Sequence, residues 1–343
     1  MSQIAGQLRE ALTSRLSALQ PDQAWAGLAD AGVIGLLAPE NLGGMGLDLA
    51  EAAPVLEVLG DLCLPTAFLE TAVIAAGLLT RLPGQASDAL LRKIAEGGRI
   101  SVLGVDPGQS SLNAKVLGDG RWRLDGEARL VLDALDADFI LARAVDKDAA
   151  SRFFVFEPGD EGVQARPVPT LDDRMAADLT LNGMQTSADV DGEVDAALSA
   201  VRDEAVAALC VEASALMARL VRDTVDYVKQ REQFGQTLSS FQVVQHRLAD
   251  MNIQARRARA IARQALSASD ADRPRLASAA KVTVCRAGRF VGQNAVQLHG
   301  GMGMTAELPI SRGFKRLTAI ETQMGGADHH IRRFQRLRKS EAG

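Results

Sequence analysis

Cysteine is scarce in this 343-residue chain, and the three that occur, Cys63, Cys210 and Cys285, lie far apart. They cannot form a paired framework or a CxxC metal site, which excludes a disulfide scaffold and structural zinc and points to a reducing compartment. A basic excess is missing too. The 38 Lys and Arg stand against 43 Asp and Glu, a formal net charge of −5, so nucleic acid is not an expected partner. Long apolar runs are also absent: Met1 to Ala18 carries charges and no apolar centre of an export signal, and the most apolar helical stretch, Ala205 to Val221, is interrupted by Glu212 and Arg219. No membrane insertion is expected, and the chain reads as cytoplasmic. What remains is 47% hydrophobic and 24% charged, enough apolar material for two or three cores and incompatible with disorder, collagen or coiled coil.

The periodicity divides the chain into three parts, 1–98, 99–192 and 193–343. The first is helical, with Leu8, Leu12, Leu16 and Leu19 at helical spacing and an apolar run from Ala72 to Leu82. It is interrupted from Ala38 to Gly46, where glycine and proline density predicts an ordered loop. The second part is a series of short strands, including Ile100–Leu103, Arg121–Leu124, Phe139–Ala142 and Arg152–Glu157, with Asp119-Gly120 as a tight hairpin turn. In the third part the helical period returns. A long helix buries one face through Val206, Leu209, Cys210, Ala213, Leu216, Met217, Leu220 and Thr224 and stops at Phe234-Gly235. Further helices are predicted from about Phe241 to Ser269 and from Pro274 to Leu298. An α, β, α order with long antiparallel helices implies a four-helix bundle that oligomerises.

Two clusters carry candidate chemistry. The first is Arg231-Glu232-Gln233-Phe234-Gly235-Gln236 followed by Phe241-Gln242. A guanidinium matches phosphate oxygens and a glycine admits close backbone approach, although a solvated helix end with a glycine C-cap would look the same. The second is Gln297-Leu298-His299-Gly300-Gly301-Met302-Gly303, a glycine-rich helix end whose amides can cradle a pyrophosphate or simply terminate the helix. It follows no strand and so is not a dinucleotide fingerprint. His299 either touches a bound group or is an ordinary polar loop residue. The adjacent pair His329-His330 does not converge on one metal, and no metal site is expected.

In their order these pieces resemble the acyl-CoA dehydrogenase family. The resemblance rests on Trp25, Leu28, Gly32, Gly35-Leu36, Pro39-Glu40, Gly43-Gly44 and Gly46, on Arg231, Phe234-Gly235 and Phe241-Gln242, and on Gln297, Gly300-Gly301, Gly303, Glu307 and Pro309. It implies an α+β multidomain fold: an N-terminal α-helical domain, a middle β-barrel-like domain and a C-terminal four-helix bundle. It also implies FAD as cofactor, a dimer or tetramer, an acyl-CoA substrate that undergoes α,β-desaturation, and an electron-transfer flavoprotein as acceptor. Carried over, Arg231, Phe234, Phe241, Gln242, Gln297, Gly300 and Gly301 hold the adenosine and pyrophosphate half of FAD, characteristically that of the neighbouring subunit.

The departures from the family pattern cluster as well. The usual catalytic Glu falls on Met324, whose thioether accepts no proton. The alternative base position on the first bundle helix falls on Ala205, with Glu204 beside it and Val206 in place of a family Arg. The flavin-contacting strands read Val105-Asp106-Pro107 and Leu130-Val131-Leu132. These losses imply a subunit that lends the adenosine half of an FAD site to a second acyl-CoA dehydrogenase subunit, as the smaller subunits of heteromeric enzymes for lipid or steroid degradation do. The alternative is a self-sufficient homo-oligomer whose base is displaced to Glu204, Glu321 or Asp328. Each of these has a structural role open to it: helix N-terminal placement, a solvated helix face, and pairing with Arg332. A nonenzymatic scaffold would not need the phosphate-cradling clusters.

Overall fold

The computed structural model describes residues 3–106, 108–305 and 309–341. Pro107 and Glu307, named above, lie outside the described residues. The chain gathers into two compact units.

One unit comprises residues 18–52 and 65–205. Its helical part contains α2 (Ala24–Asp30) and, after a π-helical segment over Leu69–Ala75, α4 (Ala76–Arg81) and α5 (Gln85–Ala95); α1 (Gln3–Ser17) and α3 (Ala53–Leu62) belong to the other unit. The loop predicted at 38–46 is ordered because Gly44 lets the chain double back. A Cβ there would lie 2.1 Å from the Ala38 carbonyl oxygen.

An eight-stranded sheet follows: β1 (Ile100–Leu103), β2 (Ser110–Val116), β3 (Trp122–Leu132), β4 (Phe139–Val145), β5 (Ser151–Phe156), β6 (Val163–Pro169), β7 (Met175–Thr186) and β8 (Asp189–Val190). The order is β6-β7-β3-β2-β4-β5-β8, with β1 parallel to β4. The β2–β3 hairpin turns at Asp119-Gly120 as the dipeptide predicts, with Gly120 at φ +83°. Leu103, Leu124, Ile140, Phe154 and Leu179 fill the core beneath the sheet. Arg174 is buried between Glu70 and Asp133, joining the π-helical segment to the β3 and β7 ends by charge.

The other unit is helical. It takes α1, α3 and, from Val206 onward, α6 (Val194–Gln230), then a two-residue hairpin of β9 (Glu232–Gln233) and β10 (Gln236–Thr237), and α7 (Gln242–Leu266), α8 (Arg273–His299), α9 (Pro309–Thr322) and α10 (Ala327–Glu341). Two sequence expectations need correction. Every α6 residue from Asp203 to Met217 is buried, so the helix hides all its sides there and not one face. It also ends at Gln230, four residues before the predicted stop. The packing is close: a Cβ on Gly60 of α3 would lie 2.1 Å from the Glu212 carbonyl oxygen of α6. No helix among the described residues is long and apolar enough to cross a membrane.

Candidate functional site

Phe234 and Gly235 form the turn of the β9–β10 hairpin, with φ of +57° and +79°. Positive φ at both central residues is the type I′ geometry, so Gly235 is a hairpin residue and not the C-cap of α6. A phenylalanine held in the left-handed region costs about 1 kcal/mol. Phe234 is nevertheless 90% exposed, its ring edge-on to Phe241 at 6.3 Å. Strain incurred in displaying an apolar ring to solvent points to a contact made outside this chain. Arg231 and Gln242 are exposed beside it, and Arg231 has no carboxylate partner among the described residues.

At the end of α8, Gln297, Gly300 and Gly301 are exposed. Gly300 needs its glycine, since its φ is +61°. Gly303 needs one as well, because a Cβ would sit 2.8 Å from the Val296 carbonyl oxygen. Gly301 differs from both: its φ is outside the left-handed region, and a Cβ there would meet nothing within 4 Å. Nothing among the described residues requires a glycine there, and a glycine leaves the backbone open to close approach by another molecule. His299 is buried, stacked on Tyr227 at 4.2 Å, and its Nδ1 donates to the Ala295 carbonyl at 2.8 Å. Burial pushes its pKa below the ordinary histidine range.

Met324 sits in the turn after α9 at φ +58°, followed by Gly325 at +89°. Buried side chains hold this turn. Lys281, fully buried, donates to the carbonyls of Ile320 and Gln323, capping the end of α9. His330 donates from Nε2 to the Met324 carbonyl at 2.9 Å. Its pKa is pushed down to about 4, mainly by burial and further by the neighbouring Lys281, His329 and Arg333 charges. No sequence pattern announced Lys281 or His330, because the carbonyls they serve are set by the tertiary packing of α8, α9 and α10.

The three candidate carboxylates occupy different surroundings. Glu204 is buried well inside α6, not at its N-terminus, and is bound by Arg81 Nη2 at 2.6 Å. Ala205, at the alternative base position, is fully buried. Glu321 is ion-paired with Arg289. Asp328 is exposed in the first turn of α10 and does not pair with Arg332. Glu321 and Asp328 line a cleft of about 740 Å³ together with Arg286, Arg289 and Arg332, a cationic setting for both carboxylates. Among the described residues no group of His, Cys, Asp or Glu could hold a metal ion.

Residues 8–97 match the acyl-CoA dehydrogenase N-terminal domain, and residues 195–336 match its C-terminal domain. The acyl-CoA dehydrogenase FadE27 of Mycobacterium tuberculosis is 30% identical, covering 91% of this chain and 87% of its own. The crystal structure of the ChsE4-ChsE5 complex from the same organism superposes with a TM-score of 0.88 at 27% identity, covering 98% of this chain and 97% of that one. A steroid acyl-CoA dehydrogenase, the Tcur3481-Tcur3483 G363A variant, gives 0.83 at 28% identity, covering 99% and 98%. Fold and relatives together define a flavin-dependent oxidoreductase acting on acyl-CoA. The chain belongs to the acyl-CoA dehydrogenase family.

FAD is the cofactor of that family, and the residues here fit its two halves unequally. Arg231, with no carboxylate partner among the described residues, a displayed Phe234 and the open backbone at Gly301 are compatible with an adenosine diphosphate group. Around the family's isoalloxazine strands the side chains are different. Val105 is buried and its carbonyl is taken by Arg202, while Leu130 projects 54% exposed from a β-bulge at φ +50°. Val105 and Leu130 offer no side-chain hydrogen bond to a flavin ring.

Proposed function

We propose that this chain is the base-lacking subunit of a heteromeric acyl-CoA dehydrogenase, with 1–98, 99–192 and 193–343 as its three domains. It supplies the adenosine and pyrophosphate half of an FAD site, and a second acyl-CoA dehydrogenase subunit supplies the isoalloxazine pocket and the base. FAD, when bound, accepts the β hydride in α,β-desaturation of an acyl-CoA thioester, and an electron-transfer flavoprotein receives the electrons. The observation that carries the reading is Met324 at the base position, in a turn clamped by Lys281 and His330. The turn is held by buried side chains, while position 324 carries a thioether that cannot take the α proton.

This chain's own work is binding. Arg231 offers guanidinium donors to phosphate oxygens, Gln297 an amide to adenosine or phosphate, and Gly300 and Gly301 exposed backbone N–H groups. Phe234 and Phe241 supply apolar surface to the adenosine side. Glu204 and Glu321 are each engaged by an arginine, and Asp328 is an exposed carboxylate at the start of α10; we assign the base to the second subunit. The neighbouring ChsE4-ChsE5 structure is a complex, and the Tcur3481-Tcur3483 structure is named a steroid acyl-CoA dehydrogenase. A bulky acyl-CoA of the steroid type is the substrate class we assign.

The reading is tested by anaerobic flavin reduction with acyl-CoA in the assembled enzyme carrying Glu204→Gln, Glu321→Gln and Asp328→Asn in turn. Each variant is expected to reduce flavin at the parental rate. Abolition by any one of them would transfer the base to this chain and favour a self-sufficient homo-oligomer.

A further inference from the structure

Two segments of the proposed adenosine site are far apart in sequence yet have to act on one ligand, and a single aromatic contact, between residues 72 positions apart, joins them. Tyr227 is the last ring on α6. The Arg231 amide donates to its carbonyl at 2.9 Å, so Arg231 follows one helical turn beyond it. His299 is the residue immediately before Gly300. The two rings stack at 4.2 Å with an interplanar angle of 24°, and the Tyr227 hydroxyl donates to the His299 carbonyl at 3.4 Å. The His299 ring is fixed in turn by its Nδ1–H bond to the Ala295 carbonyl. The stack thus ties the base of the Arg231 hairpin to the base of the glycine turn.

We infer that Tyr227 and His299 are positioning residues that set the separation between the Arg231 guanidinium and the Gly300–Gly301 amides, so that one diphosphate group meets both. Neither ring needs to touch the ligand. Their effect is transmitted through the backbone at Arg231 and Gly300, and a diphosphate ligand bridged by the two segments senses small changes in their spacing. The inference rests on the proposed adenosine half-site, and the experiment below separates the two.

The probe is ADP, titrated by calorimetry into the full chain and its variants, with melting temperature recorded for each. Wild-type chain is expected to bind ADP. Tyr227→Ala and His299→Ala are expected to weaken it about tenfold, the size of a lost ring–ring contact expressed as affinity. His299→Phe, which keeps a stacked ring, is expected to bind within about twofold of wild type. Because the stack acts through Arg231, the Arg231→Ala, His299→Ala double variant is expected to bind no worse than Arg231→Ala alone. Additive losses in the double variant, or wild-type affinity in both alanine variants, would overturn the positioning role while leaving the half-site standing. Failure of the wild-type chain to bind ADP would overturn the half-site itself, and the inference with it.

Discussion

His330 makes the turn at Met324 sensitive to acid. Its ring is buried, with Nε2–H committed to the Met324 carbonyl and Nδ1 facing the Ser278 hydroxyl at 3.4 Å. Burial foremost, and then the neighbouring Lys281, His329 and Arg333 charges, disfavour protonation, and the pKa stands at about 4 in the folded chain against the ordinary 6.5. Because the folded value lies below the unfolded one, the native state favours the neutral ring. The associated stability is fully present above pH 6.5 and is lost as pH falls from 6.5 through 4. The interval corresponds to about 3 kcal/mol in full, and to about 2 kcal/mol by pH 5. The perturbation is His330→Gln, which keeps an N–H donor toward Met324 but does not titrate. Urea unfolding of the helical transition at pH 7, 6 and 5 should show wild type losing about 2 kcal/mol more than the variant between pH 7 and 5. Parallel pH profiles for the two proteins would refute the reasoning.

Other substitutions test the packing around the site. Glu57, almost fully buried on α3, is shared by Arg9, Arg259 and Arg263, the last at 2.9 Å through Nε. Glu57→Ala strands three guanidiniums and is expected to cost about 2 kcal/mol in urea unfolding, less than a fully buried pair because the arginines are part-exposed. A neutral result would show that water already satisfies them. Gly301→Ala is expected to leave the melting temperature unchanged and to reduce ADP binding, whereas Gly303→Ala, which drives a Cβ against the Val296 carbonyl, is expected to lower it by several degrees. The opposite pattern in differential scanning fluorimetry would reverse the assignment of the two glycines.

Much of the architecture follows from local chemistry. Asp119-Gly120 makes its hairpin because glycine accepts positive φ, and α7 and α8 begin and end within a few residues of where their apolar period and Pro274 place them. The order of clusters led to the family and to the residues of the proposed adenosine site. What local pattern could not supply are partners distant in sequence. Glu204 meets Arg81 across 123 positions, and Lys281 meets the end of α9 across 39. Each reads in sequence as an ordinary charged helix residue. The all-round burial of α6 is hidden for a related reason: small and apolar residues populate every face, so periodicity marks one side only weakly. At Phe234-Gly235 the glycine was visible, but two-residue strands on either side are too short to register as a hairpin.

The half-site reading is tested most directly by the flavin-to-protein ratio of this chain purified alone with FAD added, alongside its mass in solution. A folded protein with little retained flavin is expected, one that gains flavin only when a second acyl-CoA dehydrogenase subunit is present. Near-stoichiometric FAD in a homo-oligomer of this chain alone would contradict it.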